Sequence, residues 1–222
     1  MNNTKFGLTA AHLRILALFL MLLDHMWATV VPGNAWMTYV GRIAFPIFAF
    51  QAAEGYAHTH DFKSYCKRLG IFAIVSEIPF NLMISGSPIF PFHQNVMLTL
   101  LLGLMACRAY DRKKWLVMAG WIILGAVSLC DYGALGVCSV LLFHIFRGKM
   151  LLQLLMLVAI NGFGYEGQQL LLSGMEIPVQ AFAILAIFPI WLYNGEKGRG
   201  GKWLQYGSYL FYPLHMLILW LL

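Results

Sequence analysis

The sequence predicts an all-α, multi-pass integral membrane bundle of about nine transmembrane helices, and three observations carry that prediction. Long apolar runs recur along the whole chain, and the mean hydropathy is +0.72. Charged residues make up only 11% of it, under half of the roughly one quarter usual in soluble domains, so its surface cannot be mainly water-facing. Basic residues fall in alternate connections, as they do in chains that cross a bilayer back and forth. Backbone groups in lipid must be bonded within their own segment, which makes helices the expected form. Alternating β-barrel segments are absent. The polar stretches are too short to fold separately, so residues 1–222 read as a single transmembrane domain.

Each crossing takes about 20 mostly apolar residues. The first is 12–31; Asp24 and His25 interrupt it, and the apolar core of a signal peptide is uncharged. The second, 36–56, contains Arg42, and the third, 66–85, contains Glu77 and Asn81. The fourth and fifth, 96–109 and 115–129, flank a basic turn. The sixth, 133–146, follows Asp131, and the seventh, 150–161, is short. Residues 163–178 are Gly-rich and carry Glu166 and Glu176; within them 168–172 read as a short interfacial helix. The eighth and ninth spans are 179–193 and 203–222. No internal repeat is visible, which weighs against an inverted-repeat transporter.

Orientation follows from the cations. Lys5 and Arg14 precede or open the first span. Lys63, Lys67 and Arg68 follow the second, and Arg108, Arg112, Lys113 and Lys114 the fourth. Arg147 and Lys149 follow the sixth, and Lys197, Arg199 and Lys202 the eighth. Of the 15 Lys and Arg residues only Arg42 breaks this one-sided pattern. The positive-inside rule then puts the N-terminus in the cytoplasm and the C-terminus outside it, which in a bacterium means the inner membrane.

Arg42 belongs to a polar layer within the membrane. At 1.5 Å rise per residue it lies about 20 Å from the inner edge. Asp24 and His25 fall at roughly 18–20 Å, Glu77 at about 14–15 Å, Asn81 near ~20 Å and His215 near ~18 Å. Asp131 stands just above this slab. Ionisable groups in lipid are costly and are retained mainly for substrate or proton handling. The bland reading is an ion pair of Arg42 with Asp24 or Glu77 that fixes helix register. Asp24 and His25 point about 100° apart on a helix, so they serve different partners. Glu77, Asp131 or a backbone carbonyl would hold the His25 ring, and imidazole suits proton transfer near neutral pH. Asn81, Asn95, Asp131, Tyr212 and His215 are the supporting or substrate-side candidates. Pro46, Pro79 and Pro213 follow Arg42 and Glu77 and precede His215, where a freed carbonyl can line a cavity. Glu54 can reach headgroups or Lys63, His144 has no obvious partner and reads as core, and His93 lies in the outer loop 86–95.

No GxSxG, HExxH, Walker or GxGxxG pattern is present. The four cysteines show no CxxC or zinc spacing, no span pairs two His a turn apart, and neither a metal nor nucleic acid is expected.

Five stretches carry a resemblance. They are LMLLDHMW (20–27), GRIAFPIFAFQAAEGYAHT (41–59), KRLGIFAIVSEIPFNLM (67–83), QNVMLTLLLGL (94–104) and YLFYPLHMLIL (209–219). With Asp-His, Gly-Arg-x-Ala-Phe-Pro and Ser-Glu-x-Pro-Phe in that order, the chain resembles the TraX family. Residues 115–203 match only as generic spans. The best-known member of that family acetylates the N-terminus of F-type pilin. The family is similar to the acyltransferase-3 type membrane acyltransferases, which take acyl-CoA from the cytoplasm and acylate an extracytoplasmic acceptor through a His of the first span. The resemblance implies that His25 is the catalytic His and Arg42 a site arginine.

Acetyl-CoA or another acyl-CoA is thus the expected co-substrate. Lys63, Lys67, Arg68, Arg112, Lys113 and Lys114 could hold its phosphates, although the positive-inside rule alone also accounts for them. His25 would deprotonate the acceptor, a protein N-terminus, a glycan or a lipid, and Arg42 would stabilise the oxyanion or hold Asp24 and Glu77. A proton-coupled transporter or flippase, or a non-catalytic assembly factor for secreted or pilus subunits, would use the same polar layer differently.

Overall fold

The computed structural model describes residues 6–165, 168–172 and 175–222. They form a helical bundle with one small hairpin. Helices α1 (Ala10–Thr29), α2 (Trp36–Gly41), α3 (Ala44–His58), α4 (Phe62–Ser85), α5 (Val96–Asp111), α6 (Trp115–Val127), α7 (Gly133–Ile145) and α8 (Met150–Phe163) follow one another. Strands β1 (Gln169–Leu172) and β2 (Met175–Pro178), a 3-10 helix (Val179–Ala186), α9 (Ile187–Trp191) and α10 (Gly201–Leu221) complete the chain. Lys5 and Glu166 lie outside the described residues.

Side chains close the helix ends. Thr9 and His12 form a reciprocal cap at the start of α1, each accepting from the other's backbone N–H at 3.3 Å. Asp61 caps α4 through the Ser64 N–H at 3.0 Å, and Asn95 caps α5 through Met97 at 3.1 Å. Gly86, at φ 69°, ends α4 in the left-handed conformation that glycine takes without strain.

Helix α5 is the hub, packed on α4, α6 and α7. Leu104, Ala106 and Cys107 on it are wholly buried against Val137, Val140 and Phe143 of α7. The approach is close because Gly103 has no side chain: a Cβ there would stand 2.6 Å from Val140 Cβ. Helix α1 packs on α2, α3 and α10, and α10 returns against α4, where Phe72 and Tyr209 stack at 4.8 Å. The bundle has two polar ends. One gathers the start of α1 with the 192–197 turn through Ala10 N–H to Glu196 O (2.8 Å). At the same end Arg147 clasps Glu54 at 2.6 and 3.2 Å, and Asp111 accepts from Tyr56 (2.8 Å) and meets His144 (2.8 Å). The other end holds the 86–95 loop, tied by Gln94 N–H to Leu129 O (3.0 Å) and Asp131 N–H to Gln94 O (2.8 Å).

Several sequence expectations change. The 36–56 span is not one helix: it breaks at Arg42 and Ile43 between α2 and α3. Pro46 has no N–H for the Arg42 carbonyl one turn back, so a helix starting at Ala44 costs no bond at that position. Residues 168–172 are not an interfacial helix but lead into β1, which pairs antiparallel with β2. The 179–193 span is a 3-10 run followed by α9, interrupted where Pro189 removes the bond to Leu185. His144 has a partner, Asp111, and Glu54 reaches Arg147 rather than Lys63.

Two helices, α1 and α4, are long and apolar enough to cross a membrane by length and composition. The shorter apolar stretches are α6, α7, α8 and Val179–Trp191.

Candidate functional site

Toward the C-terminal ends of α1 and of α10 two imidazoles meet. His25 Nδ1 is 2.7 Å from His215 Nε2. The rings are within 9° of parallel with centroids 4.9 Å apart, so they lie edge to edge in nearly one plane, as an N–H···N bond requires. His215 Nδ1 in turn is 2.9 Å from the Phe211 carbonyl, and the Phe211 ring stacks on the imidazole at 4.8 Å. His215 and Tyr212 are buried. Glu77 and Asp131 were the side chains the sequence offered as partners of His25; His215 takes that place because α10 returns beside α1.

One residue back, on another face of α1, Asp24 belongs to a separate network. Its Oδ1 is 3.5 Å from Arg42 Nη2. Thr38 sits one turn before Arg42 and joins the two: its hydroxyl donates to Asp24 at 2.7 Å and accepts from Arg42 Nε and Nη2 at 3.3 and 3.1 Å. The helix break at Arg42 turns the guanidinium toward α1, and Gly41 lets α2 reach Asp24.

Glu77 stands apart from this network. One oxygen, Oε2, accepts from the Asn95 amide side chain and, at 3.4 Å, from its backbone N–H. Asn95 also donates to the Ala73 carbonyl at 2.8 Å, so this pair locks α4 to the start of α5. Asn81 donates to the Pro88 carbonyl at 3.3 Å and holds the 86–95 loop. Asp131 lies 3.5 Å from His93, and its carboxylate, accepting from the ring, raises the His93 pKa above the ordinary 6.5.

Two cavities lie along α1 on either side of His25, one lined by Met21 and the other by Trp27, and His25 and His215 themselves line neither. A polar one of about 270 Å³ is lined by Trp27, Arg42, Asp131, Tyr132, Tyr165 and Gln180. The Trp27 indole N–H is buried there without a bond partner among the described residues. A narrower one, about 90 Å³, lies between α1, α3, α4, α5 and α10. Its walls are chiefly apolar, with Leu18, Met21, Phe48, Leu69 and Leu100. Arg14 and Gln205 stand at its lower end, while Met21 and Tyr212 stand one turn below His25 and His215.

The rim cations divide. Arg68 lies 5.9 Å from the centre of the Tyr65 ring, beside the narrow cavity that Tyr65 lines. Lys63 and Lys67 are exposed on the same first turns of α4. Arg112, Lys113 and Lys114 are exposed at the α5–α6 turn and do not line that cavity. No cluster of three or more His, Cys, Asp or Glu set to hold a metal occurs among the described residues.

The family model described as TraX protein matches residues 9–222, nearly the whole chain. The chain belongs to the TraX family. A relative from Dichelobacter nodosus, the probable fimbrial assembly protein FimC of serogroup H1, is 27% identical, with 98% of this chain and 96% of that protein aligned. No solved structure matches. In this TraX-family chain the stretches carrying Asp24, His25, Arg42 and His215 meet in two contacts on different faces of α1, Asp24 with Arg42 and His25 with His215, whereas Glu77 pairs with Asn95 between α4 and α5. The sequence reading did not single out Thr38, which joins Asp24 to Arg42, nor Tyr132 and Trp27, which line the polar cavity. The available signals were Thr38 one turn before Arg42, Tyr132 beside Asp131, and Trp27 two residues past His25.

Proposed function

We propose that this chain is a multi-pass protein of a bacterial cytoplasmic membrane that transfers an acyl group, acetyl by preference, from acyl-CoA to an amine or hydroxyl acceptor on the far side. The observation that carries the reading is the placement of two cavities along α1, one ending at Met21, a turn before His25, and the other reaching Trp27, two residues past it. The narrow apolar cavity starts by Arg14 and stops a turn below His25 and His215, a shape suited to the slender arm of a thioester. The polar cavity brings Arg42 and Asp131 to the opposite side, where an acceptor would enter.

Membrane residence is supported by the outward faces. On α4 Ile71, Ile74, Val75 and Ile78 are exposed at helical spacing, and so are Leu210, Leu214, Ile218 and Leu221 on α10. The shorter helices do the same: Leu116, Ile123 and Val127 on α6, and Leu151 and Leu155 on α8. An apolar belt of this extent marks a lipid-facing or partner-facing surface rather than a water-facing one. The full count of nine crossings needs the short helices to span as well, with the bilayer thinning or polar flanks reaching the interface.

In the mechanism we propose, the phosphates of acyl-CoA dock on the basic rim of Lys63, Lys67 and Arg68, with Arg112, Lys113 and Lys114 adding long-range attraction. The narrow cavity favours a short acyl group. His25 removes the proton of the acceptor nucleophile as it attacks the thioester carbonyl. Arg42, oriented by Asp24 and Thr38, stabilises the oxyanion. Glu77 and Asn95 hold α4 and α5 so that the cavity keeps its width.

A second reading has its own support: the FimC relative is named as an assembly protein, so a non-catalytic role in assembling exported subunits fits the same membership. Radiolabelled acetyl-CoA given to the purified protein in lipid nanodiscs separates them. The acyl-transfer reading expects label to leave CoA for water or a small amine. No CoA turnover and no CoA binding would favour assembly, and proton-coupled uptake into vesicles without CoA would favour a transporter.

A further inference from the structure

We propose that His215 is the positioning residue that fixes the tautomer of His25 and makes Nε2 its basic atom. The proposal rests on the acyl-transfer reading for its chemical consequence, while the tautomer itself follows from the hydrogen bonds.

The chain of donors starts at a group that cannot donate. The Phe211 carbonyl only accepts, so His215 Nδ1, 2.9 Å away, carries the proton of that bond. A neutral imidazole has one N–H, so His215 Nε2 is bare. Its lone pair points at His25 Nδ1 across 2.7 Å in the plane of both rings. Two bare nitrogens at that distance would repel, so His25 Nδ1 carries its proton and donates. His25 Nε2 is then the atom left with a lone pair. Free histidine favours the opposite tautomer, so His215 imposes a state that His25 would not take alone.

Rigidity makes the imposition effective. Phe211 stacks on the His215 ring at 4.8 Å and Tyr212 tilts against it at 5.8 Å, with His215 4% exposed. His25 is anchored on α1, where its carbonyl accepts from Thr29 at 2.7 Å. The arrangement has the logic of a base oriented by a second residue, as in nucleophile–base–orienter triads, with a neutral imidazole as the orienter.

The step balances. The acceptor's N–H or O–H proton passes to His25 Nε2 as its heteroatom bonds to the acyl carbon. The carbon–sulfur bond breaks, the thiolate of CoA leaves, and it takes that proton back from Nε2. The enzyme ends neutral and the products are the amide or ester and the CoA thiol. While His25 is cationic, its Nδ1–H stays bonded to His215 Nε2, which shares the charge without itself having been a proton source.

Solid-state nitrogen NMR on histidine-labelled protein in nanodiscs reads the tautomer directly. The expected result is a protonated Nδ1 and a bare Nε2 on His25, with a through-bond coupling from Nδ1 to His215 Nε2. His215→Leu should return His25 to the Nε2–H form and lower kcat for acetyl transfer about 10²-fold or more with KM for acetyl-CoA little changed. His215→Gln, whose side-chain oxygen can accept from Nδ1, should restore the tautomer and part of the rate. Wild type with Nε2–H on His25, or His215→Leu turning over at the wild-type rate, would overturn the proposal. If His215→Leu does not fold, the wild-type spectrum and His215→Gln still decide. The predicted tautomer in a protein that transfers no acetyl would sink the acyl-transfer reading and leave the hold of His215 on His25 standing.

Discussion

Gly41 of α2 lies against Asp24 of α1 so closely that a Cβ on Gly41 would stand 2.4 Å from Asp24 Cβ. This contact is what lets Asp24, Thr38 and Arg42 share one network. Gly41→Ala should therefore push Asp24 off Thr38 and loosen the guanidinium. Overpacking of this kind costs about 1–3 kcal/mol, so thermal unfolding of the purified protein should come earlier and acyl transfer should fall. Unchanged melting and unchanged turnover would mean that α2 is free to shift.

Thr38 donates to Asp24 and accepts from Arg42 at once. Thr38→Val keeps the volume and removes the hydroxyl's bonds to both residues. Stranding charged partners costs about 1–3 kcal/mol for each lost bond, and the rate should fall more than the affinity for acetyl-CoA. Arg42→Ala goes further, since it leaves Asp24 without its cation, and should reduce the amount of folded protein recovered in detergent, by a loss on the order of 3–5 kcal/mol. Normal yields of Arg42→Ala would show that Asp24 is not held by the ion pair.

Some of this was legible in the sequence and some was not. Asp24, His25, Arg42 and His215 could be set at one depth because helical rise converts position into height. Depth along a helix does not say which helices are neighbours, so the sequence offered Glu77 to His25 and Arg42, while the fold gives Glu77 to Asn95 and His215 to His25. Partner choice is a long-range property, since His25 and His215 are 190 positions apart. The break at Arg42 was hidden for a different reason. Pro46 marks a weak helical bond, but whether the chain then kinks or restarts depends on what packs beside it. The antiparallel pair of Gln169–Leu172 and Met175–Pro178 was missed because four-residue runs are too short to separate strand from helix by period.

The outer clasp between His93 and Asp131 should respond to pH. Asp131 raises the His93 pKa above 6.5, so the contact's stability is fully present below pH 6.5 and is lost as the pH rises through the higher folded value. With the pair more than a third exposed, screening keeps the effect small. A proton NMR titration of His93 should give a midpoint above 6.5 that falls in Asp131→Asn, and amides of the 86–95 loop should exchange faster above it. A midpoint at or below 6.5 would show that the two groups do not interact in solution.

Topology has a direct check. With the basic connections inside, a reporter fused after Leu222 should be extracytoplasmic and one inserted within 111–114 cytoplasmic. A cytoplasmic C-terminus would mean that the number of crossings is even.

The proposal of acyl transfer at His25 is tested most directly by measuring acetyl-CoA turnover and CoA binding on the same preparations of wild type and His25→Ala. CoA's phosphates would sit at the rim of α4, far from the imidazole, so binding should be nearly unchanged, while loss of the general base should lower transfer ~10²–10⁴-fold. His25→Ala turning over acetyl-CoA at the wild-type rate would contradict the account, because the imidazole would then serve only to join α1 to α10.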